Sequence, residues 1–240
     1  MTGTIINVAA ILIGGAIGLF FGARIPERLK GTVISGMGLF TAVVGIQMFF
    51  KTENALIVLG ALLIGALLGE WWRIEDGLEA FGRALEKRFT NGKSNTAAAP
   101  DSSRSRFVLG FMTASLLYCI GPLAILGSIQ DGLTGDYQTL AIKSVLDFFA
   151  SIAFASTLGV GVLFSIVPLA IYQGGISLLA GSLNAIVTTE MMNEMTATGG
   201  VILLGLAFSR LLEIKPIRVG NFLPALAVAP LIVWVVSLFK

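Results

Sequence analysis

A bundle of membrane-spanning α-helices is the fold class this sequence predicts, and three observations predict it. The 240 residues are 55% hydrophobic and only 12% charged, with a mean hydropathy of +0.89, whereas soluble domains carry about 25% charged residues. The apolar residues gather in eight segments, each long enough, or nearly so, to cross about 30 Å of hydrocarbon as a helix. The basic residues, finally, divide very unevenly between the two ends of those segments.

The segments run over residues 4–22, 31–50, 55–72, 107–128, 138–157, 159–183, 198–212 and 219–239. The first has no basic residue ahead of it, and its first charge, Arg24, follows the apolar stretch. That order suits an uncleaved first helix with its N-terminus outside rather than a signal peptide. Threading the chain from there leaves 13 Lys and Arg on the inner side, Lys51 and Lys240 outside, and Lys143 within the membrane. The partition follows the positive-inside rule and predicts both termini outside. Seven spans also satisfy the pattern, because the seventh segment is short and only Leu158-Gly159-Val160-Gly161 separates the fifth from the sixth.

Glycines mark the first and third spans. Gly14, Gly18 and Gly22 form a ridge, and Gly65 with Gly69 repeats the spacing. Such ridges let helix backbones approach closely, within one chain or across a symmetric homodimer. The strings IGGAIG (13–18) and IGALLG (64–69) are alike and hint at an internal duplication.

Between the third and fourth spans, Ile74, Leu78, Phe81, Leu85 and Phe89 recur at helical spacing among charged residues. This predicts an amphipathic helix on the inner membrane surface. Residues 91–105 (NGKSNTAAAPDSSRS) read as a flexible linker. The chain is thus one integral membrane domain: a three-helix unit over 1–72, the cytoplasmic helix and linker over 73–106, and a five-helix unit over 107–240.

Candidate breaks follow in the later spans. Gly121-Pro122 interrupts the fourth, Pro168 and Gln173-Gly174-Gly175 the sixth, Gly199-Gly200 opens the seventh, and Pro224 and Pro230 lie in the eighth. Unwound backbone at membrane depth is a means of coordinating ions in transporters.

The fifth span carries the sharpest signal. Thr139, Lys143, Asp147 and Ser151 recur every four residues and form one polar stripe in an otherwise apolar helix. Lipid solvates neither ammonium nor carboxylate, so such residues face a bundle interior or a wet cavity and point to function. Asp147 is the expected centre of a polar site, Lys143 its partner, and Ser151 a further stripe member. Asn7, Gln173 and Asn221, amides that both donate and accept, are expected to complete the lining.

Other chemistry is poorly supplied. There is no histidine, and Cys119 is the single cysteine, so the commonest general base and thiolate metal clusters are absent. Ser144 and Ser151 lie near Lys143, but no nucleophile motif surrounds them. The expectation is a non-enzyme without cofactor or metal, whose partners are the lipid bilayer and a small polar solute or ion, with no nucleic acid. Transport explains the buried charges, amides and breaks together. A structural or regulatory membrane protein, acting through packing and self-association, explains the glycine ridges and the amphipathic helix.

Several strings carry a family resemblance: GTIINVAAILIGGAIG (3–18), YCIGPLAILGSIQDGL (118–133), AIKSVLDFFAS (141–151), YQGGISLLAG (172–181), and Gly199-Gly200 followed by NFLPAL (221–226). Together they resemble the domain of unknown function 554 family, a group of bacterial inner-membrane proteins. The resemblance implies a multi-pass helical bundle in that membrane. It supplies no catalytic or binding residues.

Overall fold

The computed structural model describes residues 1–22, 24–89 and 106–238; the 91–105 linker lies outside them. Among the described residues every regular element is helical. In hydrocarbon only a helix or a closed barrel satisfies its own backbone polar groups, and the aperiodic apolar runs of this chain suit helices.

The first half comprises α1 (Thr2–Gly22), α2 (Glu27–Phe49), α3 (Ala55–Trp72) and the amphipathic α4 (Ile74–Phe89). Next come α5 (Arg106–Cys119), α6 (Pro122–Thr134) and α7 (Gln138–Leu158). A 3₁₀ turn over Val160–Ser165 leads into α8 (Ile166–Leu178), followed by the short α9 (Ala180–Asn184). Helix α10 (Thr189–Leu206) continues as a π-helical turn over Ala207–Leu211, and a 3₁₀ turn at Val219–Phe222 opens α11 (Ala225–Ser237).

Seven of these stretches are long and apolar enough to span a membrane, and α5 with α6 forms a pair bent by 63°. The bend sits at Gly121, whose φ of 155° favours glycine, and Pro122 starts the next helix. The pair still makes one crossing. At its start Phe107 packs against Gly161, just past the end of α7. Near its close Asp131 accepts a hydrogen bond from Gly3, at the start of α1. Helices α1 and α7 run parallel, with Gly3 beside Leu140 and Gly22 beside Ser156, so these two contacts mark opposite ends of the bundle. Counted as one span, the bent pair brings the seven candidate spans to eight.

Three sequence expectations shift. The seventh span begins at Thr189, not residue 198. Its first turns carry Glu190, Glu194, Thr196 and Thr198, which lower its hydropathy, although Glu194, Thr196 and Thr198 are buried by neighbouring helices. Pro168 and Gly174-Gly175 do not break α8; Pro168 falls in the first turn, where no internal hydrogen bond is lost. Gly199-Gly200 lies inside α10, where Gly200 meets the backbone of Gly45 on α2.

The glycine ridges are occupied within the chain. A Cβ at Gly14, Gly18 or Gly22 would overlap the carbonyl oxygens of Phe148, Ile152 and Ser156 on α7. Gly65 and Gly69 meet Ala225 and Asn221 at the start of the last span. These contacts remove the ridges as the motive for a homodimer. They also interleave the two parts of the sequence: α1 packs chiefly on α7, α2 on α10 and α3 on α11.

Helix α5 lies at the centre, with ten of its fourteen residues buried. Leu116 joins a core with Ala61, Leu203, Leu206 and Ala225, while Ala114 and Tyr118 join another with Ile11, Phe154 and Leu169. The break after Cys119 is thus enclosed by helices on both sides, and α5 ends with its last carbonyls inside the bundle.

Candidate functional site

The site grows from α7. Leu146, Phe149, Ile142 and Val145 are exposed on its outer face, while Lys143, Ser144, Asp147 and Ser151 are buried on the inner one. The i,i+4 spacing brings Lys143 Nζ onto Asp147 Oδ2 as an ion pair, with side chains only 7% and 11% exposed. A charge pair at this depth is sustained only when further hydrogen bonds complete it.

One such bond comes from α1, where Asn7 Nδ2 donates to Asp147 Oδ2 at 2.9 Å. The glycine ridge is what permits it, because glycine-to-backbone contact along α1 and α7 holds the helices close enough for a short amide to reach. From α5, Tyr118 places its ring 5.9 Å from Lys143 Nζ, within cation–π range. Its hydroxyl lies 2.8 Å from Ser151 Oγ. Lys143, Asp147, Asn7, Ser151 and Tyr118 therefore form one cluster beside the break at Gly121. Tyr118 has no sequence signature of its own; only the break three residues later draws attention to it.

Gln173 is completely buried, and neither its amide oxygen nor its amide nitrogen has a partner in the protein. It lies one turn from Ser177 on the same face of α8. Ser177 Oγ donates to Ser128 O on α6 at 2.9 Å, so this face of α8 looks onto α6. Thr4 Oγ1, Asn7 Oδ1, Ser128 Oγ and Asp131 Oδ1 are likewise buried without a protein partner. A buried polar atom costs about 1–3 kcal/mol unless water, an ion or another group meets it. The polar cluster thus continues from Asp147 along α1 toward the end of the bundle that holds Met1.

Asn221 is not part of this cluster, which corrects the expectation that it lines the same cavity. Its Oδ1 accepts from Glu75 N at 2.8 Å and its Nδ2 donates to Glu70 Oε2 at 2.5 Å. It caps the first turn of α4 at the opposite end of the molecule, because α4 starts beside the 3₁₀ turn that leads into α11.

Besides Asp131, two further buried carboxylates are not legible as such in the sequence. Glu75 reads as one of the surface charges of the amphipathic helix, yet it shares the buried face with Gly82. It pairs with Arg210 on the π-helical turn, both side chains being under 5% exposed, and accepts from Gly220 N at 2.6 Å. Glu194 reads as a loop residue. On α10 it accepts from Thr52 Oγ1, Glu53 N and Asn54 N at 2.6, 2.9 and 3.2 Å, closing the α2–α3 turn. Among the described residues no group of three or more His, Cys, Asp and Glu is arranged to hold a metal.

A cleft of about 350 Å³ opens at the basic end, lined by Gly22, Lys30, Arg106 and residues 156–160 among others. It does not include the Lys143–Asp147 pair.

Comparison with known proteins places this architecture. The family model described as "Protein of unknown function (DUF554)" matches residues 2–234. The chain is 33% identical over 227 residues to "Uncharacterized protein YqgA" of Escherichia coli (strain K12), covering 95% of this chain and 94% of the relative. It is 31% identical over 243 residues to "Uncharacterized membrane protein YdfK" of Bacillus subtilis (strain 168), covering 100% and 98%. No solved structure matches. With a family match over nearly its whole length, this multi-span helical chain belongs to the DUF554 family.

Proposed function

We propose that the protein carries an ion or a small polar solute across the bacterial inner membrane, as a transporter or channel. The observation that carries this reading is the Lys143–Asp147–Asn7 cluster, buried in a membrane bundle and continuous with polar atoms that lack protein partners. A purely structural ion pair has no need of that continuation, since its stability depends on having every neighbour satisfied. The break at Gly121 supports the same reading, because a half-helix ending inside the bundle brings backbone carbonyls to the site.

Protonation or ion binding at Asp147 would release Lys143 and tip the cluster between two charge states. Such a change is what an alternating-access cycle requires of its central site. The basic residues at the Arg24, Arg73 and Arg210 end support a cytoplasmic position for that end.

The test is flux in proteoliposomes loaded with salt or with a pH-sensitive dye. Asp147→Asn keeps the shape of the side chain and an oxygen for Asn7 to donate to, so the protein should fold while coupled flux is lost. Flux equal to that of the parent would make the pair structural and end this reading.

A further inference from the structure

The cleft at the basic end of the bundle shares no residue with the Lys143–Asp147 cluster. Four helices supply it at their ends: Gly22 closes α1, Lys30 lies in the first turn of α2, Arg106 opens α5, and Leu158 closes α7. It therefore lies where the apolar spans give way to the headgroup layer, not at the depth of the central pair.

Glycines give the cleft its form. Gly22 packs on the Ser156 carbonyl and Gly161 on the Phe107 carbonyl, which holds α1 and α5 against the end of α7. Gly159, at φ 85°, turns the chain out of α7, and the space beside the last helical turn stays open. Its volume of about 350 Å³ falls within the range of small-molecule sites, roughly 300–1,000 Å³.

The lining is amphipathic. Leu19, Phe107, Leu158 and Val160 make an apolar wall, Lys30 and Arg106 supply two positive charges, and no acid is among the described lining residues. The hydroxyls of Ser156 and Thr157 donate to the Ala153 carbonyl of their own helix, so the two cations are the side-chain donors that face a ligand. The positive-inside rule asks only for basic residues near the inner ends of spans, and Arg28 meets it from the exposed face of α2. Lys30 stands elsewhere. It precedes Ile34, Met37 and Thr41 on the stripe that packs onto the bundle, and it is itself half-buried.

We infer that this cleft binds the phosphate headgroup of an anionic phospholipid, with Lys30 and Arg106 on the phosphate and the upper carbons of the lipid on the apolar wall. Both cations make charge-assisted hydrogen bonds to phosphate oxygens, and the planar guanidinium matches two of them at once. Basic pockets between spanning helices at the cytoplasmic boundary take lipid headgroups in this way. A free phosphate uses the charges but not the wall, so the amphipathic lining favours the lipid. The inference goes beyond the transport reading and does not depend on it.

The experiment is native mass spectrometry and thermal unfolding of the purified full-length protein in one detergent. Phosphatidylglycerol, phosphatidylcholine with the same acyl chains, or inorganic phosphate is added. Phosphatidylglycerol should be retained as one molecule per chain and should raise the melting temperature in a saturable way. Phosphatidylcholine, whose phosphate is offset by a fixed positive charge, should do neither. Lys30→Gln and Arg106→Gln should each weaken phosphatidylglycerol binding by about tenfold. Arg28→Gln removes an equal charge from the same end but outside the cleft, and should leave binding unchanged. Arg106 is exposed, so its variant decides the matter if Lys30→Gln does not fold. Equal binding of the two lipids overturns the site, as does unchanged binding in either folded cleft variant or an equal loss in Arg28→Gln. A response to inorganic phosphate as large as that to phosphatidylglycerol overturns the lipid as the ligand.

Discussion

Asn7 donates its side-chain amide to Asp147 across 2.9 Å, although 140 positions separate them in sequence. This bond ties the first helix to the charged helix at the depth where α5 is broken. It also explains how a lysine and a carboxylate at i,i+4, in the weaker of the two orientations for a helical pair, persist in the interior. The carboxylate is shared between an ammonium and an amide rather than left to one partner.

Removing Lys143 alone should therefore be costly. Lys143→Met leaves a buried carboxylate held only by Asn7, and a loss of about 3–5 kcal/mol is expected. Combining it with Asp147→Asn should restore most of that stability without restoring flux. Thermal unfolding of the three purified variants in one detergent measures this, and a Lys143→Met protein as stable as the parent would contradict it.

The glycine ridge of α1 predicts a stability effect without an assembly effect. Gly18→Leu drives a side chain into the Ile152 carbonyl and should cost about 1–3 kcal/mol by overpacking. The particle mass in detergent, read by light scattering, should not change. A dimer that falls apart while each chain keeps its stability would instead put the ridge at an interface between two copies.

At the basic end, the Glu75–Arg210 pair joins the surface helix to the π-helical turn of α10. Arg210→Met should destabilise by about 3–5 kcal/mol, since it strands Glu75 beneath α4. Arg83, whose pairing with Glu79 is two-thirds exposed on its own side, serves as the control, and Arg83→Ala should stay within about 0.5 kcal/mol. Equal melting temperatures for the two variants would count against a structural lock.

The two ends of the bundle are distinguishable by labelling in intact cells. In a Cys119→Ala background, a cysteine at the exposed Asp136 should react with a membrane-impermeant maleimide added outside, and one at the exposed Asp76 should not. The opposite pattern inverts the orientation.

Much was legible before any coordinates. The helical class and the run of apolar spans depend on the composition of each segment taken alone, because partition into hydrocarbon is decided segment by segment. The stripe of Lys143, Asp147 and Ser151 follows from the helical period, and the break at Gly121-Pro122 follows from residue chemistry. Each of these is a local property, and a local property can be read from a string.

Which residues meet was decided only in three dimensions. Asn221 and Asn7 are the same kind of residue, yet packing sends one to cap α4 and the other to Asp147. Asp131 and Glu194 read as outer-loop acids, and Glu75 reads as a surface charge, because hydropathy averages over a helix and cannot tell its buried face from its exposed one. Their burial is set by the neighbours that close over them, α1 over Asp131, the α2–α3 turn over Glu194, and the α11 entrance over Glu75. Those neighbours lie more than a hundred residues away along the chain. No periodicity within a segment encodes such a meeting; it arises when glycine-lined and apolar surfaces of distant helices find their closest fit.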